Sequence, residues 1–151
     1  MLRSRAARGF TLIELLIVIA IVAVSAGLMT LALRDSEASR LEEEAARLTA
    51  LLEMARAEAR VAGTTVRWMP VGDSPEADFR FVGLSSQQKM PVRWLDPATR
   101  ATVSSTVFVV LGPEAILPPQ RIVLRLGQQQ LELASDGLAP FAVATAAAAA
   151  P

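Results

Sequence analysis

Gly9-Phe10-Thr11-Leu12-Ile13-Glu14-Leu15 opens the stretch that decides this chain, because from Leu15 to Leu33 no side chain carries a charge. At a helical rise of about 1.5 Å, residues 10 to 33 make about 36 Å of helix, enough to cross a hydrocarbon core of about 30 Å. Glu14 is the one ionisable group in that run. A lone carboxylate in lipid costs a few kcal/mol unless something pairs with it, so insertion alone gives no reason to keep it. The flanks set the orientation. Arg3, Arg5 and Arg8 precede the span with no acid among them, whereas residues 34 to 44 mix Arg34 and Arg40 with Asp35, Glu37, Glu42, Glu43 and Glu44. By the positive-inside rule the N-terminus is cytoplasmic and the chain after Leu33 lies outside, which for a bacterial inner membrane is the periplasm.

Three readings of this N-terminus compete. A removable secretory signal also has a basic start and an apolar core, and Ala23-Val24-Ser25 offers a small-residue cleavage site. The uncharged run passes straight through that site, however, where a signal core ends after about 7 to 15 residues. A plain signal anchor has the right length. Neither accounts for Glu14. The third reading is a resemblance: a short basic leader ending in Gly9, followed by Phe10-Thr11-Leu12-Ile13-Glu14 at the head of an apolar helix, resembles the class III signal of type IV pilins and type II secretion pseudopilins. The resemblance implies that a membrane-embedded prepilin peptidase cuts between Gly9 and Phe10, removing a leader of residues 1–9, and methylates the new amine of Phe10.

A physical purpose for Glu14 follows from its position. Cleavage ahead of Phe10 would create a cationic amine four residues, or about 6 Å of helix, from the carboxylate. In a bundle of parallel copies offset along the axis, the carboxylate of one copy can meet the amine of another. Such a pair offsets the burial of both charges and fixes the axial register. An isolated copy in lipid would leave Glu14 poorly satisfied. Glu14 is therefore expected to serve assembly.

Behind the span, residues 34 to 151 suffice for one modest domain. Net charge is zero, but three of the 15 basic residues sit in the leader, leaving 12 against 15 acids. No basic patch on that domain points to nucleic acid. Leu41, Ala45, Leu48, Leu52, Ala55, Ala59 and Ala62 recur at spacings of four and three, predicting an amphipathic helix over residues 34–63 that lays an apolar stripe on a sheet. Arg40, Glu43, Arg47 and Glu58 fall on the opposite face, with Glu43 and Arg47 placed to pair. Gly63 is a natural stop. No proline interrupts residues 10 to 62, so span and stripe can form one helix of about 50 residues. Many pilin-like relatives have proline where this chain has Leu31, and Gly27 is the remaining weak point.

After Gly63 the hydrophobic period changes to two. Strands are predicted at Thr65–Met69, Asp78–Val82, Pro91–Leu95, Val103–Leu111, Arg121–Leu126 and Gln130–Ala134, with Val107–Leu111 central and a hairpin at Gly127-Gln128-Gln129. The fold class is α+β, a long helix followed by an antiparallel β head over residues 64–143, with an alanine-rich tail over 144–151. Trp68 and Trp94 occupy matching Val-Arg-Trp tripeptides, read as core packing rather than a repeat. Arg67, Arg80, Arg93 and Arg125 are expected on solvated strand faces.

The segments Gly112-Pro113-Glu114, Leu117 to Ile122 and Leu131 to Phe141 sharpen the resemblance: they are similar to the C-terminal region of the H-type minor pseudopilins of type II secretion. That resemblance implies a pilin-like fold and a structural subunit near the tip of a periplasmic pseudopilus, linking tip subunits to the major pseudopilin and supporting export of folded proteins. The implied partners are other minor pseudopilins, the major pseudopilin, the prepilin peptidase, the inner-membrane secretion platform and membrane lipid. The nearest competitor is a minor pilin of a type IV pilus. Nothing points to an enzyme: the chain has no histidine, cysteine or tyrosine, which removes the commonest general base, the thiol nucleophile and the usual zinc ligands. Within the head Asp73, Glu76 and Asp78 form the only dense acidic group, and their spacing matches no established calcium loop. No cofactor or metal is expected.

Overall fold

The computed structural model describes residues 11–72, 74–85, 88–104 and 106–144, with the side chains of 26–35 outside that description. The expected leader, the Gly9–Phe10 junction and residues 145–151 of the expected tail also lie outside the described residues. The chain divides into two compact units, Met1–Asp35 and Ser36–Pro151. One helix, α1, runs Leu12–Ala62, in keeping with the absence of proline from that range. In the first unit every described apolar side chain, from Leu12 to Val24, is exposed. Among the described residues no helix is long and apolar enough to cross a membrane. Of the expected span, Phe10 and the side chains beyond Ser25 fall outside the description.

In the second unit the helix packs by its stripe. Leu41, Ala45, Leu48, Leu52, Ala55 and Ala59 are all buried, while Ala62, in the last helical position, is exposed. The helix ends where expected: Gly63 adopts φ +64° and the Thr64 N–H donates back to the Ala59 carbonyl at 3.1 Å, closing a left-handed cap.

Seven strands follow: β1 Val66–Pro70, β2 Phe79–Val82, β3 Arg100–Val103, β4 Val109–Leu111, β5 Gln120–Leu126, β6 Gln129–Ser135 and β7 Ala142–Val143. They form two antiparallel sheets, ordered β2-β1-β4 and β3-β5-β6-β7. In β5, buried Ile122, Leu124 and Leu126 alternate with exposed Arg121 and Arg125 and half-buried Val123, the pattern of a strand with one wet face. Leu126 pairs with Gln129 across a two-residue turn, and Gly127 at φ +55° supplies the positive φ that a tight hairpin needs at its first position. The helix braces that turn: the Gln128 N–H donates to Glu37 Oε2 at 3.3 Å.

Stripe and sheets enclose one core, in which Trp68, Phe79 and Trp94 cluster with ring centroids 4.5 to 6.4 Å apart. Both tryptophans are thus packing residues.

Three sequence expectations need correction. Pro91–Leu95 is not a strand, because side chains take the donors that a ladder would use. Asp78 Oδ2 accepts the Trp94 N–H at 2.8 Å and Glu44 Oε2 accepts the Leu95 N–H at 2.6 Å, while only the Val92 carbonyl, accepting from Asp78 and Phe79, works as an edge partner. Val103–Leu111 is two strands in different sheets, with bends at residues 104 and 106–108 between them. Its apolar end is an edge, not a centre. Val107 projects into solvent and β4 borders only β1, its Val110 N–H and C=O being met instead by the Gln120 amide at 2.6 and 3.0 Å. Finally, Arg47 pairs with Glu44 at 2.9 Å rather than with Glu43. Arg67, Arg80 and Arg125 are exposed on strands as expected, and Arg93 is exposed on the 91–95 loop.

Candidate functional site

The sequence places function at the start of α1, and there the described residues form one compact arrangement. Thr11 precedes the first helical residue. Its backbone N–H and its hydroxyl both donate to Glu14 Oε2 at 3.0 Å, and the Glu14 N–H donates to the Thr11 hydroxyl oxygen at 3.3 Å. The Leu15 N–H reaches the Thr11 carbonyl at 3.2 Å, the first bond of the helix. This is a reciprocal capping box, in which residues three apart satisfy each other's otherwise orphaned amides at a helix N-terminus. The helix dipole adds to it, since an anion is favoured at that end.

Glu14 is thus partly satisfied within the single chain, through Thr11. One of its oxygens is committed to Thr11, while Oε1 has no partner among the described residues. The arrangement can start a helix and offer one carboxylate oxygen to a cation outside it. Thr11 was missed as part of the site, although the Thr-x-x-Glu spacing was legible as a capping signature. Gly9 and Phe10, the expected cleavage and methylation positions, lie outside the described residues, so the pairing of Glu14 with a new amine of Phe10 stays an expectation.

The head holds two charged residues within the apolar stripe that sequence reasoning also passed over. Glu44 is 1 % exposed and ties the helix to the 93–95 loop through Arg47 and the Leu95 N–H. Arg56 is 4 % exposed and donates through Nη2 to the Gly137 carbonyl at 2.9 Å and toward the Ala115 carbonyl at 3.4 Å. Each lies three or four residues from a stripe position, which is the signal that could have found them.

The described acids of the 73–78 loop have protein partners. Glu76 pairs with Arg80 at 3.3 Å, and Asp78 accepts from Trp94 and faces Arg93 at 4.0 Å; Asp73 lies outside the described residues. A cleft of about 470 Å³ beside them is lined by Ser74, Asp78, Arg93, Trp94, Thr99 and Arg100. Among the described residues no group of three or more His, Cys, Asp or Glu is placed to hold a metal ion. Asp136 Oδ1 accepts the N–H groups of Ala139 and Leu138 at 2.8 and 2.9 Å, which holds its carboxyl below the usual carboxylate range.

Comparison with known proteins places the N-terminal motif first in a class. Residues 4–30 match the family described as the prokaryotic N-terminal methylation motif, a prepilin-type signature that brackets Gly9, Phe10 and Glu14. Within that class the chain is similar to the type II secretion system protein H of Escherichia coli (strain K12), 40% identical over 88 residues, covering 51% of this chain and 52% of that protein. The chain thus spans about half the length of the curated relative it matches. No solved structure matches the chain.

Proposed function

We propose that this protein is a minor pseudopilin of type II secretion: a non-enzymatic subunit at or near the tip of a periplasmic pseudopilus, linking tip subunits to the major pseudopilin and supporting export of folded proteins. The observation that carries the reading is the methylation motif over residues 4–30, with a capped helix start in which one carboxylate oxygen of Glu14 has no partner among the described residues. The similarity to a type II secretion protein favours this over a minor pilin of a type IV pilus.

On this reading residues 1–9 are a leader and residues 10–33 cross the inner membrane once. The N-terminus is cytoplasmic, and the periplasm holds the amphipathic helix over 34–63, the β head over 64–143 and the tail. Prepilin peptidase cuts after Gly9 and methylates Phe10. Other pseudopilins, the secretion platform and lipid are its partners. Glu14 keeps Oε2 in its local cap and meets the Phe10 amine of a neighbour through Oε1, and the ion pair sets the axial register. Mass analysis of the protein recovered from membranes tests this: the expected mass lacks residues 1–9 and carries one added methyl group, whereas an intact leader in a cell with active peptidase contradicts it.

A further inference from the structure

Two loops of the head, residues 112–119 and 135–141, meet at Arg56 and are tied to each other more densely than connections need. The Leu117 N–H donates to the Gly137 carbonyl at 3.2 Å. Ser135 Oγ accepts the Gly137 N–H and donates to the Ala139 carbonyl, while Asp136 accepts from Leu138 and Ala139. Arg56 donates from beneath to Gly137 and reaches Ala115. Gly137 sits at φ +92°, and a Cβ there would overlap the Leu117 backbone, so this approach is open to glycine alone. On that fixed base Leu117 turns inward, whereas its neighbour Ile116 is 71 % exposed and Leu138 is 62 % exposed. Pro118, Ala139 and Pro140 extend the apolar surface, and the exposed charges on both loops, Glu114 and Asp136, are acids.

We propose that this paired loop is a docking knob that seats in an apolar, basic-rimmed cleft on a neighbouring pilin-like subunit; the proposal rests on the pseudopilin reading above. Loops already held by hydrogen bonds lose little freedom on binding, which is what makes an exposed aliphatic pair effective as an anchor. The acidic rim fixes the charge of the partner's border, since like charges there would oppose contact. This head shows that such a cleft is within reach of the fold: a groove of about 400 Å³ is lined by Phe81, Leu84, Met90 and Val92 with Lys89 beside them. Arg56 is the positioning residue. Its guanidinium is buried with Nε unpartnered and forms no ion pair among the described residues, a costly placement whose visible return is the fixed geometry of the two loops.

The test uses the full chain in its own cell, with a photo-crosslinking phenylalanine analogue at position 116 or 138, and at Val107, an exposed apolar residue of another loop, as comparator. Leader removal is read by mass in the same sample. The expected result is one adduct from both 116 and 138, to a different protein with a prepilin-type N-terminus. Its yield from position 138 should fall at least tenfold with Ile116→Ser and severalfold with Glu114→Lys. An equal yield from Val107, adducts between two copies of this chain only, or no adduct while the leader is removed and secretion proceeds would overturn the docking proposal alone. An intact leader would overturn the reading beneath it and the proposal together.

Discussion

At the scale of single residues, polar groups in apolar settings do most to define this protein. Glu14 resolves its isolation locally, by capping its own helix through Thr11. Glu44 resolves its burial through one arginine and one backbone amide. Because Glu44→Ala would leave the Leu95 N–H and part of Arg47 without an acceptor inside the head, it should destabilise the fold by about 2 to 3 kcal/mol, read as a lowered denaturant midpoint. An unchanged midpoint would show that the contact is replaced by water. Asp136 gives a pH signature. Its folded carboxyl titrates below the unfolded one, so its contribution is present above the unfolded value and is lost as pH falls through the folded value. Asp136→Asn should therefore flatten the loss of stability of the head in the acid range below about pH 4, measured by thermal unfolding across pH. A variant with the same acid slope as the natural chain would assign that slope to other carboxylates.

At the scale of elements, legibility in sequence followed the strength of each local signal. The stripe from Leu41 to Ala59 was readable because helical spacing survived over five turns, and all six residues are buried. The β5–β6 hairpin was readable because Gly127 coincides with a break between two alternating runs. The split of Val103–Leu111 was hidden: Ser104, Ser105 and Thr106 suit a strand as well as a turn, and no glycine or proline marks the change of sheet. Pro91–Leu95 failed for another reason, since its alternation was real but its donors were claimed by Asp78 and Glu44 from distant parts of the chain. Leu52, fully buried in the middle of the stripe, is the place to test the helix–sheet contact. Leu52→Ala should cost about 2 to 5 kcal/mol, measured by chemical denaturation, and a cost below about 1 kcal/mol would mean that the sheets hold together without the helix.

At the scale of the whole molecule, two units meet different demands. The second supplies its own core from the stripe, two sheets and an aromatic cluster. The first exposes apolar side chains from Leu12 to Val24 and buries none of those described, a composition that needs lipid or other chains around it. The proposed function divides in the same way, assigning assembly to the capped, apolar helix start and recognition to the head. The candidate site was half legible in sequence, since Glu14 stood out by its cost and Thr11 did not.

The measurement that bears most directly on this account is incorporation of Glu14→Ala into the secretion filament, followed in cells together with membrane insertion and leader removal. The account predicts a chain inserted and processed as usual but absent from the filament, with secretion lost. Normal incorporation and normal secretion by the Glu14→Ala chain would contradict it.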